Sequence, residues 1–221
     1  MQMDNFELWQ RTLGSQSEGP KPQLEVLRQA FLTFRGRTAQ LIGEIGQLLP
    51  GLTVHDITHV DALWRVANEI AGPEYPLNPA EAFVLGGSFL LHDAAHVLVA
   101  YEDGLAGVKR TIEWKDLIAQ SFDSKEPPSG SPQERSALFQ VLRHLHAHQA
   151  HELAKVSWTV PSNGAKIYLL EHFELREYYG DLIGEIAESH HWEPVRVVET
   201  FMNRHLSPPS FLSPSKWSVD C

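Results

Sequence analysis

Residues 78–96 read Asn-Pro-Ala-Glu-Ala-Phe-Val-Leu-Gly-Gly-Ser-Phe-Leu-Leu-His-Asp-Ala-Ala-His, and the fold class turns on them. Asn78 stands where an N-cap belongs, Pro79 at the first helical position and Glu81 three residues after the cap, the pattern of a capping box. The apolar run continues to Ala100 and is long enough to raise a membrane-spanning reading. His92, Asp93 and His96 interrupt it, and no basic residue flanks its start. An ionised Asp at a bilayer centre costs about 3 kcal/mol or more. A buried helix of a non-membrane domain, ending near Gly104, is therefore expected.

The same helical punctuation extends in both directions. Leu24, Leu27, Phe31, Phe34 and Leu41 recur at helical spacing within residues 22–49, which end at Pro50-Gly51. A second helix is expected from about His55 to Ala71, before Gly72-Pro73. Residues 108–121 read as a short helix. Glu126-Pro-Pro-Ser-Gly-Ser-Pro132 is the expected flexible loop. Ser131-Pro132-Gln133-Glu134 repeats the capping-box arrangement and launches a helix to about Lys155. Helices over roughly 164–178, 180–191 and 194–206 complete the pattern, and Val156 to Val160 is too short to commit as a strand. The reading is an all-α single domain over residues 1–206, with a Ser/Pro-rich, poorly ordered tail over 207–221.

Composition narrows the function. The 221 residues carry 28 Asp+Glu against 18 Lys+Arg, a formal net charge of -10. That balance makes a nucleic-acid polymer an unlikely partner, because neutralising phosphates takes Lys and Arg. It leaves open a small phosphorylated substrate held through a metal. A single Cys, Cys221, excludes a disulfide framework and a Cys-based zinc ribbon. The polar, acidic N-terminus carries no signal-peptide pattern, so a cytoplasmic location is expected. Twelve histidines are the outlier.

Their placement on helix faces points to metal. His92 and His96 are four apart, with Asp93 about 100° round from His92. Burying an unpaired carboxylate among Phe89, Leu90, Leu91 and Val97 would cost several kcal/mol. A divalent cation would supply the missing charge and accept neutral imidazoles as co-ligands. The plainer account is a locally capping or ion-paired Asp93 with two core histidines. His59 lies on the stripe His59, Leu63, Val66, Ile70, the face expected to be buried, and can converge with ligands from a neighbouring helix. His55, one turn nearer the helix start, could reach an open coordination position or a substrate oxygen. On the 132–155 helix His146 is the inward candidate, while His144, His148 and His151 read as a solvated face. His190 extends the apolar stripe Tyr179, Leu182, Ile183, Ile186, Ala187. His191 points off that stripe, toward a supporting or substrate contact, and Glu185 and Glu188 are expected to be solvated.

In chain order the set reads His59, His92-Asp93, His146, His190-His191. The segments carrying it are residues 54–63, 89–96, 142–147 and 186–191, and here the chain resembles an HD-domain phosphohydrolase, an all-α superfamily named for its His-Asp dyad. The resemblance implies an HD-like helical bundle in which His59, His92 and Asp93 ligate a first divalent ion. Asp93 then bridges to a second ion held by His146 and His190. One or two ions would serve, and Fe, Mn, Co, Ni and Zn all suit mixed His/Asp ligation. Such a pair suits hydrolysis of a phosphate ester, a nucleotide among the candidates, by a metal-activated water. His96 is implied to bond a phosphoryl oxygen or protonate the leaving group. Lys109, Arg110 and Arg143 are the nearest basic residues that could meet a phosphate.

Two departures from the family pattern stand out. Ala95 replaces the usual Gly of His-Asp-x-Gly, and the late Asp ligand is missing, since Asp220 is the sole Asp after residue 191. Either this chain is cut from a longer protein, or another group or water fills the position, or the site is degenerate; further domains or a partner chain are an open expectation. The last case gives the alternative reading, a non-catalytic HD-type module with a regulatory or scaffolding role. A third reading is an all-α protein with one structural zinc or none.

Overall fold

The computed structural model describes residues 2–15, 22–43, 45, 56–159, 163–215 and 217–221. Its helices are α1 (Glu7–Arg11), α2 (Pro22–Ile42), α3 (Ile57–Ala71), α4 (Pro79–Leu91), α5 (Gly104–Val108), α6 (Ile112–Ser121), α7 (Pro132–Leu153), α8 (Phe173–Glu188) and α9 (Pro194–Phe201). Strands β1 (Ser157–Thr159) and β2 (Lys166–Tyr168) form one small antiparallel hairpin, and β3 (His205–Leu206) and β4 (Val219–Asp220) another. The protein is an all-α bundle with two minor β additions. Among the described residues no helix is long and apolar enough to cross a membrane.

Helix α4 runs through the centre, packed against α2 on one side and α8 on the other, with α7 beyond α8. Its capping box forms as read from sequence: Asn78 Oδ1 accepts from the backbone N–H of Ala80 and Glu81, and Glu81 returns a carboxylate to the Asn78 N–H. Gly86 permits the close approach to α2 and α3, since a Cβ there would lie 2.5 Å from Trp64 and 2.6 Å from Phe31. Trp9, Phe31, Trp64 and Phe89 fill this side with edge and tilted ring contacts. Gly184 does the same where α8 crosses α7, its Cβ position lying 2.2 Å from the His151 carbonyl oxygen. A smaller apolar cluster of Val108, Trp114, Ile118, Leu138 and Leu142 fixes α5 and α6 to the first half of α7.

Helix α3 is held by a buried ion pair. Asp61, 4% exposed, receives two hydrogen bonds from the Arg35 guanidinium of α2, at 2.9 and 2.7 Å. This two-point clasp fixes the rotation of α3 and therefore the direction of His59.

Several expectations are corrected. The central helix stops at Leu91 instead of continuing to Gly104: Ala94 N–H bonds Leu91 O and His96 N–H bonds Asp93 O, a tighter three-residue spacing, and Val97 is extended. Residues 164–178 are not one helix, because Lys166 to Tyr168 pair with β1 and α8 begins at Phe173 behind the cap His172. Trp158 Nε1 donates to Val99 O at 3.0 Å, so tertiary pairing overrides local propensity there. The segment from Ser207 packs on the body, with Leu212 and Val219 buried, Tyr178 bonded to Ser207 O, and Asn78 Nδ2 bonded to Ser218 O. The 126–132 loop is anchored too: Trp114 Nε1 donates to Glu126, and Gly130 N–H to Glu134.

Candidate metal centre

His59 stands in the first turn of α3, His92 caps the end of α4, and Asp93 and His96 follow in the turn beyond. His146 projects from the middle of α7, and a single 3₁₀ turn, Ser189–His191, carries His190 and His191 past the end of α8. Five elements thus deliver their side chains to one place. His55 lies outside the described residues.

Asp93 is the hub. Its Oδ2 lies 3.0 Å from His92 Nε2 and 3.8 Å from His59 Nε2. Its Oδ1 lies 3.4 Å from His146 Nε2 and 3.7 Å from His96 Nε2. The two oxygens therefore face different imidazole pairs. Three groups have ligand atoms close enough to share an ion: His59, His92 and Asp93; Asp93, His96 and His146; and His146, His190 and His191. Asp93 and His146 each belong to two of them.

The rings are oriented by backbone. His92 Nδ1 bonds Phe89 O at 2.8 Å, His146 Nδ1 bonds Arg143 O at 3.0 Å, and His190 Nδ1 bonds Ala187 O at 2.6 Å. A carbonyl only accepts, so Nδ1 carries a proton in each ring; in the neutral form Nε2 is left with its lone pair, and in the protonated form it donates to Asp93 or to a neighbouring ring. This is the usual outer support of metal-ligating histidines. It has a sharp consequence at His146 and His190, whose Nε2 atoms are 3.1 Å apart. Two neutral rings of this tautomer would oppose lone pair to lone pair. Two nitrogens bound to one ion at about 2.0–2.1 Å stand roughly 2.9–3.4 Å apart. The donor set and its spacing fit a divalent cation.

Electrostatics agree with that fit. Burial opposes ionisation of Asp93, yet hydrogen bonds from His146 and His92 and the surrounding imidazoles hold its carboxyl far below the usual carboxylate range. Burial likewise opposes the charge on His92, but the Asp93 partner prevails and raises it above the ordinary imidazole value. His190 is lowered by burial and by neighbouring His146, His191 and His92. His191 is lowered by burial, with His146, His144 and Arg143 adding and Asp93 opposing.

The cluster is closed on one side and open on the other. His96, 4% exposed, stacks on His146 with ring centroids 4.0 Å apart. His59, His190 and His191 form the open side. His190 does not lie on a buried stripe, because α8 ends at Glu188 and the following turn swings both rings toward His146. The stripe His59, Leu63, Val66, Ile70 is not the core face of α3 either; Val60, Asp61 and Trp64 are.

The sequence reading missed Glu188 and His151, both expected to face solvent. His151 Nδ1 bonds Glu188 at 2.8 Å, and His148 Nδ1 lies 3.5 Å from the other carboxylate oxygen. Burial raises the Glu188 carboxyl, but its hydrogen bonds, His151 first, leave it below its ordinary value. This carboxylate ties α7 to the end of α8, two residues before His190. Glu185 is paired with Arg204. Of the three basic candidates, Lys109 is committed to Glu134 at 2.6 Å and Arg110 to Asp103 at 2.7 Å, while the charge of Arg143 reaches His191. Asp220 is bonded to His205 and belongs to none of the three ligand groups.

A protein-family model described as HD-CE matches residues 49–221. The chain belongs to the HD-CE family. The match covers all the described candidate ligands, from His59 to His191, so the cluster lies within the HD-CE domain. No curated protein and no solved structure matches the chain.

Proposed function

We propose that the chain is a metal-dependent phosphohydrolase of the HD type acting on a small phosphate ester. The observation that carries the reading is the Asp93 carboxylate, whose Oδ2 faces His59 and His92 and whose Oδ1 faces His146 and His96. A carboxylate so divided would suit two divalent ions. His59, His92 and Asp93 would hold one ion, and Asp93, His96 and His146 the second, with His190 and His191 flanking His146. When bound, the ions would lower the pKa of water and neutralise charge developing on phosphoryl oxygens.

The chain's own residues do the rest. Backbone carbonyls of Phe89, Arg143 and Ala187 keep the ligand rings aimed. His191 and Arg143 stand beside the open side to receive the phosphoryl group. His96 is too enclosed to meet a substrate; it backs Asp93 and His146, a ligating or supporting place instead of the acid role the resemblance implies. The test is reconstitution with Mn²⁺, Co²⁺ or Zn²⁺ and a phosphoester panel, with His92→Ala and Asp93→Ala as controls. Turnover lost in both variants supports the enzyme.

One observation favours a second reading. The late carboxylate ligand of HD phosphohydrolases has no counterpart among the described residues, since Asp220 is engaged with His205. A metal-binding but non-catalytic HD module would look the same at the cluster. Bound metal without turnover across the panel selects it.

A further inference from the structure

A trough of about 610 Å³ lies beside α3, α4 and α9. Three elements that carry candidate ligands also carry its walls. Leu63 is one turn beyond His59, Phe89 one turn before His92, and Ile186 one turn before His190. From Leu63 the lining continues through Val66 to Ile70, a rise of about 10 Å along α3, with Phe201 of α9 opposite. Helix α3 is therefore apolar on two faces: Val60 and Trp64 enter the core, while Val66 and Ile70 are 43% and 82% exposed. An open apolar concavity of this size is the ordinary form of a ligand site.

The charge of the walls selects the occupant. Among the described residues no Lys or Arg lines the trough, and its charged side chains are Glu81 and Asp220. Such walls repel a polyphosphate or a nucleic-acid strand, and they give the polar edges of a nucleobase few partners. An uncharged alkyl or aryl group suits them.

We propose that the trough receives the apolar alcohol portion of a phosphomonoester whose phosphoryl group sits at the Asp93 cluster; the assignment rests on the phosphohydrolase reading. Hydrolysis forms a bond from phosphorus to the oxygen of water and breaks the bond from phosphorus to the ester oxygen. The proton given up by water ends on the released alcohol, and no electrons change hands.

The test is calorimetric titration of the full, Mn²⁺-loaded chain with methylphosphonate and octylphosphonate. Each two methylenes buried are worth about tenfold in affinity, so the octyl compound is expected to bind about a hundredfold tighter or more. Ala67→Phe, which fills the trough, and Val66→Asp, at a position exposed enough to accept charge without unfolding the helix, each bring that ratio below about tenfold. Equal affinity for the two phosphonates overturns the assignment and leaves the phosphohydrolase reading standing. Octylphosphonate binding that survives unchanged in metal-free Asp93→Asn also overturns it, because the trough then acts apart from the metal centre. Failure of both phosphonates to bind the metal-loaded chain contradicts the phosphohydrolase reading itself.

Discussion

His146 and His190 hold their Nε2 atoms 3.1 Å apart while each Nδ1 is bonded to a carbonyl of its own element. While both rings are neutral, neither can donate to the other without giving up that carbonyl. The arrangement costs electrostatic energy unless a proton or a metal ion lies between them, so the second half of α7 and the turn after α8 are preorganised for a cation.

Metal binding should therefore stabilise the fold by linkage. At a hundred times its Kd, a bound ion adds about 2.7 kcal/mol. For a chain of this size that is a rise in Tm of roughly 5–10 °C. Differential scanning calorimetry should record the rise with Mn²⁺ or Zn²⁺, its reversal by chelator, and no response in Asp93→Asn.

Glu188 should matter for metal without touching it. Replacing it with Ala frees the end of α8 from His151 and loosens the turn bearing His190. Supporting residues of this kind typically change metal affinity 10–100-fold. The expected result is weaker binding of one ion in Glu188→Ala, partly restored in Glu188→Gln, with far-UV circular dichroism unchanged.

Removing Arg35 should unfold the protein more readily than any surface change. Asp61 would be left buried and unpaired, a loss of about 3–5 kcal/mol for a broken buried pair. Urea denaturation of Arg35→Leu should show a midpoint shift of that size. Arg35→Leu/Asp61→Leu should recover much of it.

The pair Lys109–Glu134 gives a pH signature away from the metal centre. The Lys109 hydrogen bond, the Gly130 N–H and the Lys109 charge hold Glu134 below its ordinary value, against burial. Glu134 in turn raises Lys109. A depressed carboxyl contributes stability above its unfolded pKa of about 4.3 and loses it as pH falls through the folded value. A raised Lys contributes below about 10.4 and loses it as pH climbs past that. The stability difference between the parent and Glu134→Gln should be flat from about pH 5 to 9 and shrink on either side. A difference that grows in acid would contradict the assignment.

Much of this was legible in the chain itself, for identifiable reasons. Asn78 and Glu81 predict their own capping box because both partners lie within one turn. Ser131 caps α7 as expected, but Glu134 turns to Lys109 and Gly130, partners that the local pattern does not contain. His59, His92, Asp93, His146 and His190 do come together, because each lies on or at the end of a helix whose apolar face packs into the core. What failed were face assignments that assumed continuous helices. The end of α4 at Leu91 and of α8 at Glu188 re-aim every ring that follows. His151 and Glu188 were lost for a different reason: their meeting depends on how closely Gly184 lets α8 cross α7, and a helical wheel holds no such information.

The central claim is that one carboxylate, Asp93, joins two metal sites. Elemental analysis of untagged, metal-reconstituted protein beside Asp93→Asn tests it most directly. The account predicts about two ions per chain in the parent and their loss in the variant. A parent that retains no ion after reconstitution would contradict it.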